Sequence, residues 1–264
     1  MCASPVDKKM MNYINITPEN INTEHLSCII RIKKPHPGVE KKREWLRERL
    51  SDGHVFRKLD FRSCAFIEYA PLDKAWVPVV SDVVEGTNEG NFLYIYCLWV
   101  TGEAHGKGVG RELIEYCVSD ARSRGYSGVC MLGSDKQKAW LSSQSFAKKF
   151  GFEKVDATSY GYELLALSFD GKIPRFTESA RAGSGEKKGI ALYYDFQCPY
   201  ILERITKVKE YCGEKGIPAD FIEVDTLEKA KSLPCVFNNF ALMNDGKLVT
   251  VNLPDPSMIE RLMK

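Results

Sequence analysis

A charge excess is the first thing this 264-residue sequence lacks: 37 lysines and arginines stand against 35 aspartates and glutamates. Neutralising a phosphate backbone takes a clear surplus of positive charge, so no nucleic acid is expected as the main partner. Histidine is scarce, with four in all, and His25, His36 and His54 show no metal-ligand spacing. Nine cysteines are present, yet no two stand as CxxC. That excludes the usual structural zinc pattern, and no metal is expected. The first residues have no apolar signal core and the cysteine count is odd, which predicts a reducing cytoplasm. The uncharged stretch from Asn91 to Gly102 falls far short of the roughly 20 apolar residues that cross a bilayer, so no membrane partner is expected. No Gly-Lys-Ser/Thr triplet, no GxGxxG and no internal repeat occur.

The residues present read as two α/β units. An entering strand ends near Ile16, and Pro18-Glu19 looks like a helix start capped by Thr17. Val39 to Leu50 suits a charge-rich surface helix with Trp45, Leu46 and Leu50 as its contacts. His54 to Ala70 turns to strand, and Phe92 to Val100 reads as a central strand buried on both faces. After the glycine-rich segment Gly102 to Gly110, Val109, Leu113, Ile114, Cys117, Val118 and Ala121 recur at helical spacing, with Gly125 as the stop. Val129 to Leu132 is another buried strand, Trp140 to Phe150 a short helix, and Glu163 to Phe169 a strand. Asp170 to Lys188 has little to bury and is the expected boundary. Two units and a linker are therefore predicted: residues 1–170, a linker over 171–188, and a smaller unit over 189–264.

The informative stretch is strand, glycine loop, helix. In His105-Gly106-Lys107-Gly108-Val109-Gly110, the glycines let the backbone turn sharply and approach a ligand. The helix starting at Val109 points unpaired N–H groups and its positive dipole end at the same spot, which suits a phosphate. The other reading, a plain strand-to-helix turn, does not need three glycines in five positions. This segment resembles the Arg/Gln-x-x-Gly-x-Gly/Ala element of the GNAT superfamily of acyl-CoA-dependent N-acetyltransferases, with His105 in place of arginine or glutamine. Lys149-Phe150-Gly151-Phe152 resembles the family's Lys-x-Gly-Phe ending of its fourth helix. The expected order β, α, α, β, β, β, α, β, α, β over 11–169 agrees with the family's.

The resemblance implies a mixed α/β sheet and acetyl-CoA as co-substrate. It implies direct transfer to a primary amine of a small molecule or peptide, in a ternary complex. Backbone groups of Leu98, Trp99 and Val100 would pair with the pantetheine arm, with a strand N–H near Trp99 or Val100 serving the oxyanion. His105 to Gly110 would hold the pyrophosphate, with Ser134 near the diverging arm. The family's usual tyrosine acid falls on Ala147 here, leaving Tyr160 and Tyr162 as substitutes. Glu68, flanked by apolar residues, is the candidate base or amine-binding group, with a carboxyl raised by burial. A solvated strand face is the competing reading. Trp76 either lines the substrate side or belongs to the core.

The last 76 residues contain a strand, Cys198-Pro199-Tyr200-Ile201, a helix, then Leu233-Pro234 before a hairpin at Asn244-Asp245-Gly246. This resembles a thioredoxin-like fold, and the pairing with the first unit resembles YoaP-like acetyltransferases. The resemblance makes Pro234 a cis-proline facing Cys198, with Cys235 beside it. A helix N-terminus would lower the Cys198 thiol pKa. Ile201 occupies the position of a second CxxC cysteine, so three roles stay open. They are a covering or substrate-recognition module, a monothiol redox or sensor unit with a regulatory acyl-CoA site, and a helix cap without chemistry.

Overall fold

The computed structural model describes residues 11–28, 36–60, 65–134, 136, 138, 141 and 144–263. The chain runs β1 (Tyr13–Asn15), α1 (Pro37–Arg49), β2 (Val55–Leu59), β3 (Ala65–Pro71), β4 (Val79–Val80), β5 (Phe92–Val100), α2 (Val109–Ser123), β6 (Gly128–Ser134), α3 (Gln144–Lys148), β7 (Glu153–Ala157) and β8 (Tyr162–Ser168). It continues with β9 (Arg175–Phe176), α4 (Glu178–Ala182), β10 (Ile190–Tyr194), α5 (Tyr200–Lys215), β11 (Ala219–Glu223), α6 (Leu227–Lys231), β12 (Phe240–Asn244), β13 (Lys247–Thr250) and α7 (Pro256–Leu262). No described helix is long and apolar enough to cross a membrane.

A seven-stranded mixed sheet, ordered β1-β2-β3-β5-β6-β8-β7, forms the first unit. Only β5 and β6 run parallel within it, because α2 carries the chain back between them. The helical spacing read for α2 is the buried face observed: Val109, Leu113, Ile114, Cys117 and Ala121. These pack with Leu93, Ile95, Val129 and Met131 of the sheet. Each such aliphatic side chain contributes about 1.5–3 kcal/mol on burial.

Two expectations fail in this unit. Residues 18–23 form turns rather than a helix, with the Asn20 side chain accepting from the Thr17 N–H. Local side-chain bonds of this kind compete with helix nucleation. A strand that the sequence pattern did not reveal, β7, pairs antiparallel with β8. Its residues Glu153-Lys154-Val155-Asp156-Ala157 are partly exposed, so little apolar alternation marks it.

The second unit is a four-stranded sheet ordered β11-β10-β12-β13. β10 runs parallel to β11 and antiparallel to β12, and β12 and β13 form the expected hairpin. The helix face Ile201, Ile205, Val208 and Cys212 is buried as its spacing predicts. Among the described residues no peptide bond is cis, so Pro234 is trans, contrary to expectation.

The joint is packed. β9 pairs with β4, and Thr177 caps α4 by accepting from the Ala180 N–H. Phe176 and Ala180 are buried, so this stretch hides more than its composition suggested. One apolar cluster runs through both units, from Ile21, Leu46 and Phe56 to Leu233, Val236 and Phe237.

Candidate active site

β5 and β6 stay in register only from Phe92–Gly128 to Ile95–Met131. Beyond that pair β5 continues to Val100 on β3 alone, after a bulge opposite Glu68 and Tyr69. Successive strand residues aim their N–H and C=O groups at opposite edges. Every second residue of Cys97 to Val100 therefore offers its backbone pair to the gap where β6 has left. This is why the strand expected to be buried throughout is buried only over Phe92 to Tyr96, while Trp99 is 36% exposed.

The glycine loop lies at the same end. Gly106 and Gly108 have φ of 76° and 84°, the left-handed region where a Cβ is strained, and a Cβ at either would meet nothing within 4 Å. Glycine is required here by backbone conformation, not crowding. His105, Gly106, Lys107 and Gly108 are exposed, and α2 begins at Val109 with no side chain capping its first-turn N–H groups. Gly110 lies close to Val100, since a Cβ there would stand 3.5 Å from Val100 Cγ2. Ser134 is not on this surface. It is buried at the end of β6 opposite Tyr162, with its hydroxyl donating to the Lys136 carbonyl.

A cleft of about 420 Å³ opens beside Leu98 and Trp99. Its walls come from both units: Leu26, Cys28, Lys42, Phe66, Glu68 and Met131 from the first, and Gln197, Cys198, Tyr200, Asn238, Asn239 and Leu253 from the second.

At its floor lies a buried polar cluster. Glu68 is 0% exposed, and Lys42 sits 2.6 Å away at 2% exposure. Lys42 also donates to the Gln197 carbonyl at 2.7 Å. The Gln197 side-chain amide donates to Glu68 at 2.6 Å, and His54 Nε2 lies 3.1 Å from its other oxygen. Asn239 donates to the Gln197 side-chain oxygen at 3.2 Å. Burial works to raise the Glu68 carboxyl, but the Lys42 charge and the His54 hydrogen bond outweigh it and hold it below the usual range. The expected raised carboxyl is thus corrected: Glu68 is ionised and already receives three donors. His54, lowered by burial against the opposing pull of Glu68, is neutral near pH 7. Behind the cluster Asp195 is 1% exposed, with Oδ1 accepting from the Gln197 N–H and Oδ2 unpartnered. Burial pushes its carboxyl up to about 8.

The other expected residues lie elsewhere. The Tyr160 hydroxyl donates to the Ala180 carbonyl and accepts from the Val236 N–H at 3.2 Å, pinning the joint. The Tyr162 hydroxyl accepts from the Val251 backbone, and neither ring is among the cleft's walls. Burial raises both phenols. Trp76 is core, under the Arg49 guanidinium at 3.7 Å.

Cys198 does precede α5 and line the cleft, but burial pushes its thiol up to about 12 despite the Tyr200 N–H that favours the thiolate. The expected activated thiol is corrected by that burial. Cys235 is also buried and raised to about 12, and it packs in the core shared by the two units, away from the cleft. Among the described residues no group of three or more His, Cys, Asp or Glu side chains is placed to hold a metal ion.

Lys42, His54, Gln197, Asn238 and Asn239 were not expected at the site. Lys42 had a signal: it shares the spacing of Val39, Trp45, Leu46 and Arg49 on the inner face of α1. The C-terminal residues had none, because no local pattern says which surface another unit covers.

Comparison with known proteins completes the description. The sequence model of the Acetyltransferase (GNAT) family matches residues 21–152, and that described as YoaP-like matches residues 218–264. A Bacillus subtilis (strain 168) protein called "Uncharacterized N-acetyltransferase YoaP" is 32% identical over 255 residues, spanning 96% of this chain and 98% of that protein. Among solved structures, a Brucella melitensis GNAT family acetyltransferase in complex with acetyl-CoA aligns at TM-score 0.39 and 15% identity, over 63% of this chain and 93% of that one. The ribosomal-protein-S18-alanine N-acetyltransferase of Escherichia coli aligns at TM-score 0.38 and 13% identity, over 61% and 95%.

Proposed function

Because this chain belongs to the GNAT family of acetyltransferases, we propose that it carries an acetyl group from acetyl-CoA directly to a primary amine held in the cleft between its two units. The observation that carries this reading is the coincidence, at one end of the sheet, of the β5–β6 split and the exposed glycine loop at the start of α2.

The pyrophosphate sits on the N–H groups of residues 105–110, where the helix dipole adds to the hydrogen bonds. The pantetheine arm takes the place of β6 along Leu98, Trp99 and Val100. That arm brings the thioester to the cleft mouth beside Trp99. A free N–H of this strand segment then faces the carbonyl oxygen as charge develops on it.

The acceptor attacks as the neutral amine. Glu68 is a poor proton acceptor here, being held ionised by Lys42, Gln197 and His54. Its role in this reading is to fix the floor of the cleft. The ammonium loses one proton to water on entry, and the proton shed by nitrogen after attack goes to the departing CoA thiolate. The cleft thiols Cys28, Cys97 and Cys198 are raised by burial and are neutral, which favours direct transfer over an acetylated enzyme. We read the C-terminal unit as thioredoxin-like in shape, on its strand order and parallel β10–β11 pair, and as a substrate-covering module in role.

Titration calorimetry with acetyl-CoA tests the donor half, and absence of binding ends the reading. Initial-rate patterns test the order of events: lines that intersect when both substrates are varied fit a ternary complex, and parallel lines do not.

A further inference from the structure

Resting on that acetyl-transfer reading, we propose that the acceptor is a small, largely apolar monoamine, selected by a wall that the C-terminal unit builds permanently into the cleft.

The wall is fixed. Gln197 is tied to Lys42 and Glu68 as described, and Asn238 donates to the Tyr96 carbonyl while accepting from the Tyr94 hydroxyl, both at 3.1 Å. Lys231 of α6 donates to the carbonyls of Leu72 and Val79 in the first unit at 2.8 and 2.7 Å. At Gly38 of α1 an added Cβ would lie 1.9 Å from the Pro199 carbonyl oxygen, so the two backbones touch just before α5. Swinging the wall away would expose the shared apolar core and leave a buried ion pair half unsatisfied. An acceptor must therefore fit beside Tyr200, Val251 and Leu253.

The charge pattern narrows the class further. Among the described residues lining the cleft, only Lys42 and Glu68 are charged, and they neutralise each other. Asp195 behind them is not among the lining residues, and burial pushes its carboxyl up to about 8. Among the described lining residues an entering ammonium finds no free carboxylate to replace its water, and a second positive charge on the same acceptor adds to that cost. Leu26, Phe66, Leu132, Leu141, Val251 and Leu253 offer contact for an apolar body instead. Polyamines and aminoglycosides present the opposite chemistry, and a protein lysine brings a polar backbone behind its single amine.

The test is acetyl-CoA turnover by the full chain, followed by product mass, with phenethylamine, tyramine, spermidine, kanamycin and a lysine-containing pentapeptide. Phenethylamine and tyramine should exceed the polycations and the peptide by about tenfold or more in kcat/KM. Their rates should climb with pH as the neutral amine fraction grows. Tyr200→Ala should raise the phenethylamine KM several-fold, on the order of one lost apolar contact, while calorimetric affinity for acetyl-CoA holds. Asn239→Asp adds an unpaired carboxylate and should shift the ratio toward spermidine. Equal turnover of spermidine, kanamycin or the peptide overturns the assignment, as does no turnover of any amine while acetyl-CoA still binds. Loss of acetyl-CoA binding itself sinks the underlying transfer reading instead.

Discussion

Two helices in this chain begin just after a strand and a tight turn, and their N-termini have opposite fates. At α2 the loop from His105 to Gly108 is exposed. No side chain caps the helix there, which is the geometry the proposed pyrophosphate site needs. At α5 the same local device points at Cys198, which the packing of α1 against Pro199 leaves only partly exposed on the cleft wall. A helix end contributes at most ~2 kcal/mol toward an anion, and desolvation of a buried thiolate exceeds that. The thiol is raised, not activated. A helix N-terminus thus favours a negative charge only where desolvation does not outweigh its dipole.

The comparison can be broken most severely at the contact that closes the second site. Lys42→Ala leaves Glu68 ionised and buried without its cation. Denaturant unfolding should show a loss of about 3–5 kcal/mol, and Lys42→Met combined with Glu68→Gln should recover much of it. A loss under about 1 kcal/mol, the value of a surface pair, would mean the units are not held by this cluster.

At the open helix end, Gly108→Glu forces a side chain into φ 84° and sets a negative charge in the loop. Acetyl-CoA affinity should fall by about 100-fold or more, near 2.7 kcal/mol. Unchanged affinity would place the phosphates elsewhere.

An effect spread over several pH units is expected from Asp195. Its carboxyl is raised in the fold, so the folded chain keeps a proton that the unfolded chain releases above its ordinary value of 3.8. Stability from this group is full below that value and lost as pH rises toward about 8. The slope is at most about 1.4 kcal/mol per pH unit. Lys231, lowered by burial to about 8, works the other way and adds stability between there and its usual 10.5. Asp195→Asn should flatten the decline between acid and neutral pH, and an unchanged stability profile would contradict a protonated Asp195.

The finest probe is the Cys198 thiol itself. Its alkylation by iodoacetamide, followed by peptide mass, should be slow at neutral pH and still rising past about pH 10. A plateau near pH 8.5 or below would restore the activated-thiol reading.

Much of this arrangement was legible before folding. The strand–loop–helix unit over 92–123, the helix faces of α2 and α5, and the Asn244-Asp245-Gly246 hairpin follow from spacing and turn chemistry that act within a dozen residues. The turns at 18–23 were misread because Pro18-Glu19 after Thr17 is also a good helix start, and only the Asn20 side-chain bond decided otherwise. β7 was missed because an edge strand with partly exposed residues has no apolar rhythm. Glu68 was placed on the right strand, but the sign of its shift depended on Lys42 and His54, which lie 26 and 14 positions away.

By itself the sequence determined where backbone N–H groups would stand open and which helix faces would seek cover, because glycine, proline and apolar period act on nearest neighbours. Tertiary structure alone decided the protonation of Glu68, Asp195 and Cys198 and the walls of the cleft. Charge and desolvation are summed over everything within a few ångströms in space, and that neighbourhood exists only in the folded chain.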